Sequence, residues 1–437
     1  MSASLAVVAT QLPGTCSATD AAVRIRSLLS REAQLLVLTA GGPAHDAEVR
    51  RLLNGELNWP KLTCLAQRET ATLIVWQSLQ RVGTDVPPDV ATAWRQLAMV
   101  SEFQSHRLER LLHQALGALA THAIDVMLVK GSALAYTAYA SFRDRPMGDV
   151  DLLVLPDRAE EAWSLLQEEG WKWWSNEFPA DLYRTHHHLP PLLDASAASV
   201  SLEIHRALLP PGHPFRLAPQ TLWQRAQRIT VDGQAALVPG PLHRLLHLCI
   251  HFAWSHGMRV GAWRAFRDLV AITGRTAVEG DVGGEGSASV EGTIDWAAFV
   301  DLARESRAAT CCYWTLRLAR SLAGAHVPDN VLQVLRPAAP AFVLNSLERH
   351  YVLDLFPTER SCPSVKLLRR LWELGIAPRW SEHGAARPWK IPWIHPTQER
   401  STSRTWLSRF LTQVTRARAS IGYVGRIIAT PGHSLVR

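Results

Sequence analysis

The sequence predicts an α+β protein, with a small mixed β-sheet core set between helical N-terminal and C-terminal regions. Three observations carry this expectation. Apolar residues recur at helical spacing through residues 20–122. Short β-type runs then alternate with helical stretches between Ile124 and His205, and helical spacing returns past Pro239. The implied division is a helical region over 1–122, an α/β core over 123–240, a helical region over 241–375, and a basic, Pro- and Trp-containing tail over 376–437.

Taken in order, Leu62-Leu65-Ala66, Thr72 to Leu79, and Leu108-Leu111-Leu112-Ala115-Leu116-Leu119 repeat as buried helix faces do. Pro87-Pro88 interrupts this pattern, and Asp89 is the candidate cap of a new helix. Val126 to Val129 reads as a strand that Gly131 breaks, and Ser132 to Tyr139 as a short helix. Asp149 to Leu155 is the second strand, followed by a helix over Arg158 to Glu169 that Gly170 ends. Trp171 to Trp174, His188 to Leu193 and Ser199 to His205 are further strand candidates. Leu242 to Trp254 and Ala262 to Thr273 are helices, and Arg275 to Thr293, rich in Gly, Ser and acidic residues, reads as a flexible insertion. A last helical stretch is expected over Ser403 to Ala419.

Composition narrows the class. At 437 residues, 47% hydrophobic and 19% charged, the chain is long and apolar enough for globular cores. The six cysteines are scattered without a Cys-x-x-Cys pair, which points away from a zinc knuckle or a disulfide framework and towards a reducing cytoplasm. Met1 to Thr15 lacks the basic start of a signal peptide, and no stretch reaches the ~20 apolar residues of a membrane helix. The net charge of +7 is a C-terminal property: Lys366 to Arg437 holds 13 Lys and Arg against 3 acidic residues. A solvated basic surface is the favoured reading of that segment, ahead of nucleic-acid binding.

The chemistry is concentrated in Lys130-Gly131-Ser132 and in Arg145-Pro146-Met147-Gly148-Asp149-Val150-Asp151. In a strand, alternate side chains share a face, so Asp149 and Asp151 project together and Val150 opposes them. Two carboxylates held that close call for a hard divalent cation such as Mg2+, with Mn2+ as a substitute. A third carboxylate would complete a site for two ions. Glu203 is the candidate, because Val200, Leu202 and Ile204 turn inward and leave Ser201, Glu203 and His205 on the other face. Gly131 and Ser132 lie at a strand-to-helix turn, where backbone can approach a phosphate and the helix start favours negative charge. Lys130 and Arg145 could neutralise phosphate oxygens.

Together these residues resemble the nucleotidyltransferase superfamily that includes DNA polymerase beta. That superfamily carries a Gly-Ser turn, an Asp-x-Asp on the next strand and a distant third acid. More narrowly the chain is similar to a bacterial family of uncharacterised nucleotidyltransferases. The matching features are Lys130-Gly131, Arg145 through Val154, His187-His188 and Glu203-Ile204-His205, with resemblance over roughly residues 55–320. The resemblance implies a nucleotidyltransferase core and transfer of a nucleoside monophosphate from an NTP. It implies that Asp149, Asp151 and Glu203 hold Mg2+ and that Gly131 and Ser132 hold the triphosphate; Lys130 and Arg145 join these as candidate nucleotide contacts, and His187 and His188 as candidates for phosphate or acceptor contact, with a plain surface role as the alternative. The acceptor is left open between a small molecule, a polysaccharide precursor, a peptide and a protein. The competing reading is a non-catalytic nucleotide-binding or regulatory, antitoxin-like protein.

Other features read as structural. Consecutive side chains diverge, so His186-His187-His188 is expected to send one or two rings into the cleft rather than to share an ion. His243, His247 and His251 recur on one helix face, with His256 beyond, as a polar seam against the sheet. Arg259, Arg264 and Arg267 are further candidates for the triphosphate. Most of the 17 tryptophans are expected as core anchors, and Cys311-Cys312 as buried and inert.

Overall fold

In the computed structural model, residues 18–83, 85–173, 183, 186–194, 200–274, 294–356, 365–376 and 419–428 are described. The architecture is α+β. A seven-stranded mixed sheet runs β3-β4-β5-β2-β1-β7-β6. Its strands are β1 (Met127–Leu128), β2 (Asp149–Leu153), β3 (Lys172–Trp173), β4 (Leu192–Leu193), β5 (Ser201–His205), β6 (Gln227–Val231) and β7 (Gln234–Val238). The β2–β5 and β1–β7 pairs are parallel and the remaining neighbours antiparallel.

The helix Pro88–Thr121 ties the molecule together. Proline at its start costs no helical hydrogen bond, and Asp89 in the first turn complements the dipole. Its early residues Trp94 and Ala98 belong to one hydrophobic cluster, and its later residues Leu108 to Leu119 to a second one beneath the sheet. The first cluster joins helices from both ends of the chain: Arg31–Ala40 and Thr72–Val82 pack with Pro241–Ile250, Ala262–Thr273 and Ala309–Ala323. Side-chain caps start several of these helices, as where Ser30, Asn58 and Asp295 accept from Ala33, Lys61 and Ala298 amides. Trp94, Trp263 and Trp314 are fully buried, and the Trp263 indole donates to Thr39 Oγ1 at 3.1 Å. They anchor the core, each removing a large apolar surface from water. Cys311 and Cys312 are buried, and burial pushes both thiols up.

Several strand expectations need correction. Residues 188–193 do not form a full strand: Leu192–Leu193 is β4, while His188 makes a lone antiparallel bridge to His205. The hairpin β6–β7 was not expected at all, although Asp232-Gly233 between alternating runs is its signal. Both residues take positive φ, 48° and 75°, as a two-residue hairpin turn requires. Trp174, Ser199, the insertion 275–293 and the stretch 403–418 lie outside the described residues. Within the basic tail, residues 419–428 are helical, and Tyr423 and Ile427 pack on Leu368. Among the described residues no helix is long and apolar enough to cross a membrane.

Candidate active site

Strand pairing sets the positions of the acidic residues. β2 and β5 are adjacent and parallel, in a register that places Asp149 opposite Ser201 and Asp151 opposite Glu203. Val150, Leu152, Leu202 and Ile204 are buried in the core beneath the sheet, which leaves the carboxylates on the opposite face. Asp151, Glu203 and His205 each present a ligand-type atom within 4.8 Å of the others. The fully buried His205 reaches Asp151 Oδ1 at 2.8 Å and Glu203 Oε2 at 3.3 Å through Nε2. Lys130 Nζ donates to Asp151 Oδ1 at 2.5 Å and stands 4.0 Å from Glu203 Oε2. His205 was not singled out among the site residues from sequence, although its place two residues after Glu203 puts it on the same face.

The charges act on each other strongly. Burial favours the neutral form of Asp151, yet the Lys130 ammonium and His205 outweigh it and hold its carboxyl well below the usual range. Burial pulls Lys130 down, but Asp151, Glu203 and Asp149 push it up to about 12. Burial also opposes ionisation of Glu203, and the His205 hydrogen bond lowers it on balance. His205 rises because Asp151 and Glu203 overcome its burial and the Lys130 charge. Asp149 behaves differently. The residue is exposed at the start of β2, yet desolvation by the surrounding protein and the Asp151 charge push its carboxyl up to about 6. Negative charge at the mouth of the site is thus only partly neutralised by the protein.

The turn before the helix Lys130–Thr137 is tight. Lys130 adopts φ of 50°, and a Cβ on Gly131 would collide with Arg145 Nη1. The side chains of Ser132 and Arg145, both expected at the nucleotide, are engaged by protein groups. Ser132 is buried, and its hydroxyl lies 2.8 Å from the Val129 carbonyl and 3.1 Å from that of Asp151. It braces the turn against β2. Arg145 borders the cleft but forks onto the buried Asp268, with Nη2–Oδ2 of 2.9 Å and Nε–Oδ1 of 3.2 Å. Tyr139 donates to the same carboxylate at 2.7 Å.

These residues floor a cleft of about 700 Å³ between the sheet and the helical body. Lys130, Gly131, Asp149, Asp151 and Glu203 line one side, and His247, His251, His256 and Arg264 line the other. The expected polar seam is therefore present, except that His243 is not among the cleft-lining residues. His251 opens a π-helical turn, His251–Ser255, that continues the helix Pro241–Ile250. Burial lowers His247 to about 3 and His256 to about 4, so both rings are neutral. Of the three arginines considered from sequence, only Arg264 lines the cleft. Arg259 pairs with Asp354 at 3.0 Å, and Arg267 donates to the Asp144 carbonyl at 3.2 Å and sits over the rings of Tyr139 and Trp263. His186, His187 and His188 all line the cleft, where one or two had been expected.

A mixed sheet presenting acidic residues on adjacent parallel strands, beside a glycine turn that opens a helix, has the build of a nucleotidyltransferase-like protein. The chain belongs to the family described as uncharacterised nucleotidyltransferase, whose model matches residues 55–324. It is also similar to an antigenic nucleotidyltransferase-like protein from Paracoccidioides brasiliensis, known from its crystal structure. That likeness is at 16% identity and a TM-score of 0.32, over 53% of this chain and 98% of the other. No curated protein matches the chain.

A divalent cation suits the donor set. Asp149, Asp151 and Glu203 line one side of the cleft, the oxygen-rich environment that hard cations prefer, and burial together with the Asp151 charge pushes Asp149 up to about 6, a strain that a cation would relieve. Asp149, Asp151 and Glu203 are the residues that would hold it.

Proposed function

We propose that this chain transfers a nucleoside monophosphate from an NTP to an acceptor, with Mg2+ or Mn2+ held by Asp149, Asp151 and Glu203. The observation that carries this reading is the β2–β5 register, which sets Glu203 beside Asp151 and two residues past the level of Asp149. A bound cation would supply charge neutralisation for the triphosphate and activate the acceptor hydroxyl. His205 keeps Asp151 and Glu203 turned towards each other, with Nε2 between the two carboxylates. Lys130 and Gly131, at the start of the helix Lys130–Thr137, would meet incoming phosphate. Arg264 adds positive charge from the opposite wall. The neutral histidines on that wall offer hydrogen bonds without competing for the cation.

The order of motifs supports placement in the polymerase beta-like superfamily, and a bacterial cytoplasmic setting is part of the same proposal, the compartment resting on the scattered cysteines. The acceptor belongs to one of four classes: a small molecule, a polysaccharide precursor, a peptide or a protein. The test is incubation of the full chain with each α-labelled NTP, Mg2+ and cell extract. Transfer yields a labelled product and pyrophosphate. Saturable nucleotide binding without any labelled product would overturn transfer in favour of a regulatory, non-catalytic role.

Proton competition gives a second expected result. Because Asp149 is pushed up to about 6 when no cation is bound, a proton competes for that ligand below this pH. The apparent Mg2+ dissociation constant is expected to be flat above pH 7 and to rise about tenfold per pH unit below 6. Calorimetric titration from pH 5 to 8 reads it. A constant that does not change across this range would remove Asp149 from the ligand set.

A further inference from the structure

The rim of the cleft carries a second group of donors that the carboxylate chemistry leaves unused. One ring nitrogen from each of His186, His187 and His188 lies within 4.8 Å of the other two. The ring centroids are 4.3, 4.3 and 4.8 Å apart. Side chains of consecutive residues diverge in a helix or a strand, but this triplet is in neither. His186 and His187 lie in a bend and His188 makes the single bridge to His205, and the bend gathers the three rings on one side.

Two of the rings also carry an orphaned nitrogen. Nδ1 of His186 and Nδ1 of His187 are buried without a hydrogen bond, a cost of about 1–3 kcal/mol each when nothing satisfies them. His188 Nδ1 lies 2.8 Å from the Leu189 carbonyl. It therefore donates there and leaves Nε2 with a bare lone pair, the tautomer that a metal-ligating histidine shows. Burial disfavours the charged form of all three rings.

We propose that His186, His187 and His188 form a binding site for one borderline divalent transition cation of the Zn2+ type. Imidazole nitrogens suit such an ion, whereas Mg2+ takes oxygen donors, so the rim and the carboxylate floor select different metals. At Zn–N distances of about 2.0–2.1 Å the three nitrogens would stand roughly 3.4 Å apart, within reach by ring movements of about an ångström. All three residues line the cleft, so a fourth coordination position opens into it, as in sites where zinc keeps a place for substrate. The natural occupant is an oxygen of the cleft's ligand, either a phosphate or a hydroxyl. The nucleotide contact expected of His187 and His188 then passes through the ion. The site stands on its own donors and does not require nucleotidyl transfer.

Co2+ is a spectroscopic stand-in for Zn2+. Untagged full-length protein is stripped with a chelator and titrated with Co2+ in excess Mg2+. One Co2+ per chain is expected, with the intense visible absorption of a four-coordinate nitrogen-rich site, and stoichiometric Zn2+ should bleach it. His187→Ala and His188→Ala are each expected to weaken binding by at least about tenfold. Asp149→Asn, which alters only the carboxylate floor, should leave it within about twofold. A weak six-coordinate spectrum, binding indifferent to the histidine variants, or loss in Asp149→Asn would each overturn the site. Should an alanine variant lose its unfolding transition, His188→Gln removes the ligand with less loss of packing and is held to the same criterion.

Discussion

Asp149→Asn is expected to lower nucleotidyl transfer by at least about a thousandfold, equivalent to ~4 kcal/mol of barrier, with the fold intact. The substitution preserves size and removes one negative charge from the proposed cation site. Asp149 begins β2 at the open side of the cleft, and the surrounding protein and Asp151 disfavour its ionised form. The thermal midpoint should therefore hold or rise. Retention of wild-type turnover would remove Asp149 from the chemistry. Asp151→Asn is the poorer test, because Asp151 is the buried counter-charge to Lys130 and His205. Removing one partner of such a group costs about 3–5 kcal/mol of stability, and the activity lost would mix chemistry with unfolding. The clean comparison is kcat for Asp149→Asn measured beside its denaturation curve.

What the sequence could reveal here was governed by distance along the chain. Asp149 and Asp151 are two residues apart, and the period of a strand alone puts them on one face. Glu203 could be recognised as facing away from a core, since Leu202 and Ile204 flank it. Its placement opposite Asp151 depends on which strand lies next to which, and the structure supplies that pairing. The β6–β7 hairpin was legible in Asp232-Gly233, a two-residue turn whose conformation is local. Ser132 and Arg145 were legible as residue types but not as partners. The hydroxyl of Ser132 is captured by the Val129 and Asp151 carbonyls, and the guanidinium of Arg145 by a carboxylate 123 positions away. The shared core of the flanking helices was hidden for the same reason. Periodicity identifies a buried face but not the helix that covers it, and here helices from opposite ends of the chain cover one another. The histidine triplet was misjudged because strand or helix geometry was assumed where the backbone bends.

Asp268→Asn is expected to cost about 3–5 kcal/mol of stability, the loss typical of one charge left buried without its partner. Asp268 is buried on the helix Ala262–Thr273 and receives two hydrogen bonds from Arg145 and one from Tyr139. Burial alone would lower Arg145, and the Asp268 charge raises it on balance, so the pair is tightly bound. This contact fastens the segment leading into β2 to the helical wall of the cleft. The guanidinium also occupies the space a side chain on Gly131 would need. Arg145→Met should destabilise to a similar extent. The double variant should lose less than the two singles combined, with a coupling of about 1–3 kcal/mol, because neither charge is then stranded. Chemical denaturation of the four proteins closes the cycle. A phosphate-binding Arg145 would give a different result. Arg145→Met would then raise KM for the NTP while the denaturation midpoint stayed put, and Asp268→Asn would change neither. The structure favours the brace, since the fork of Arg145 is already filled by a carboxylate.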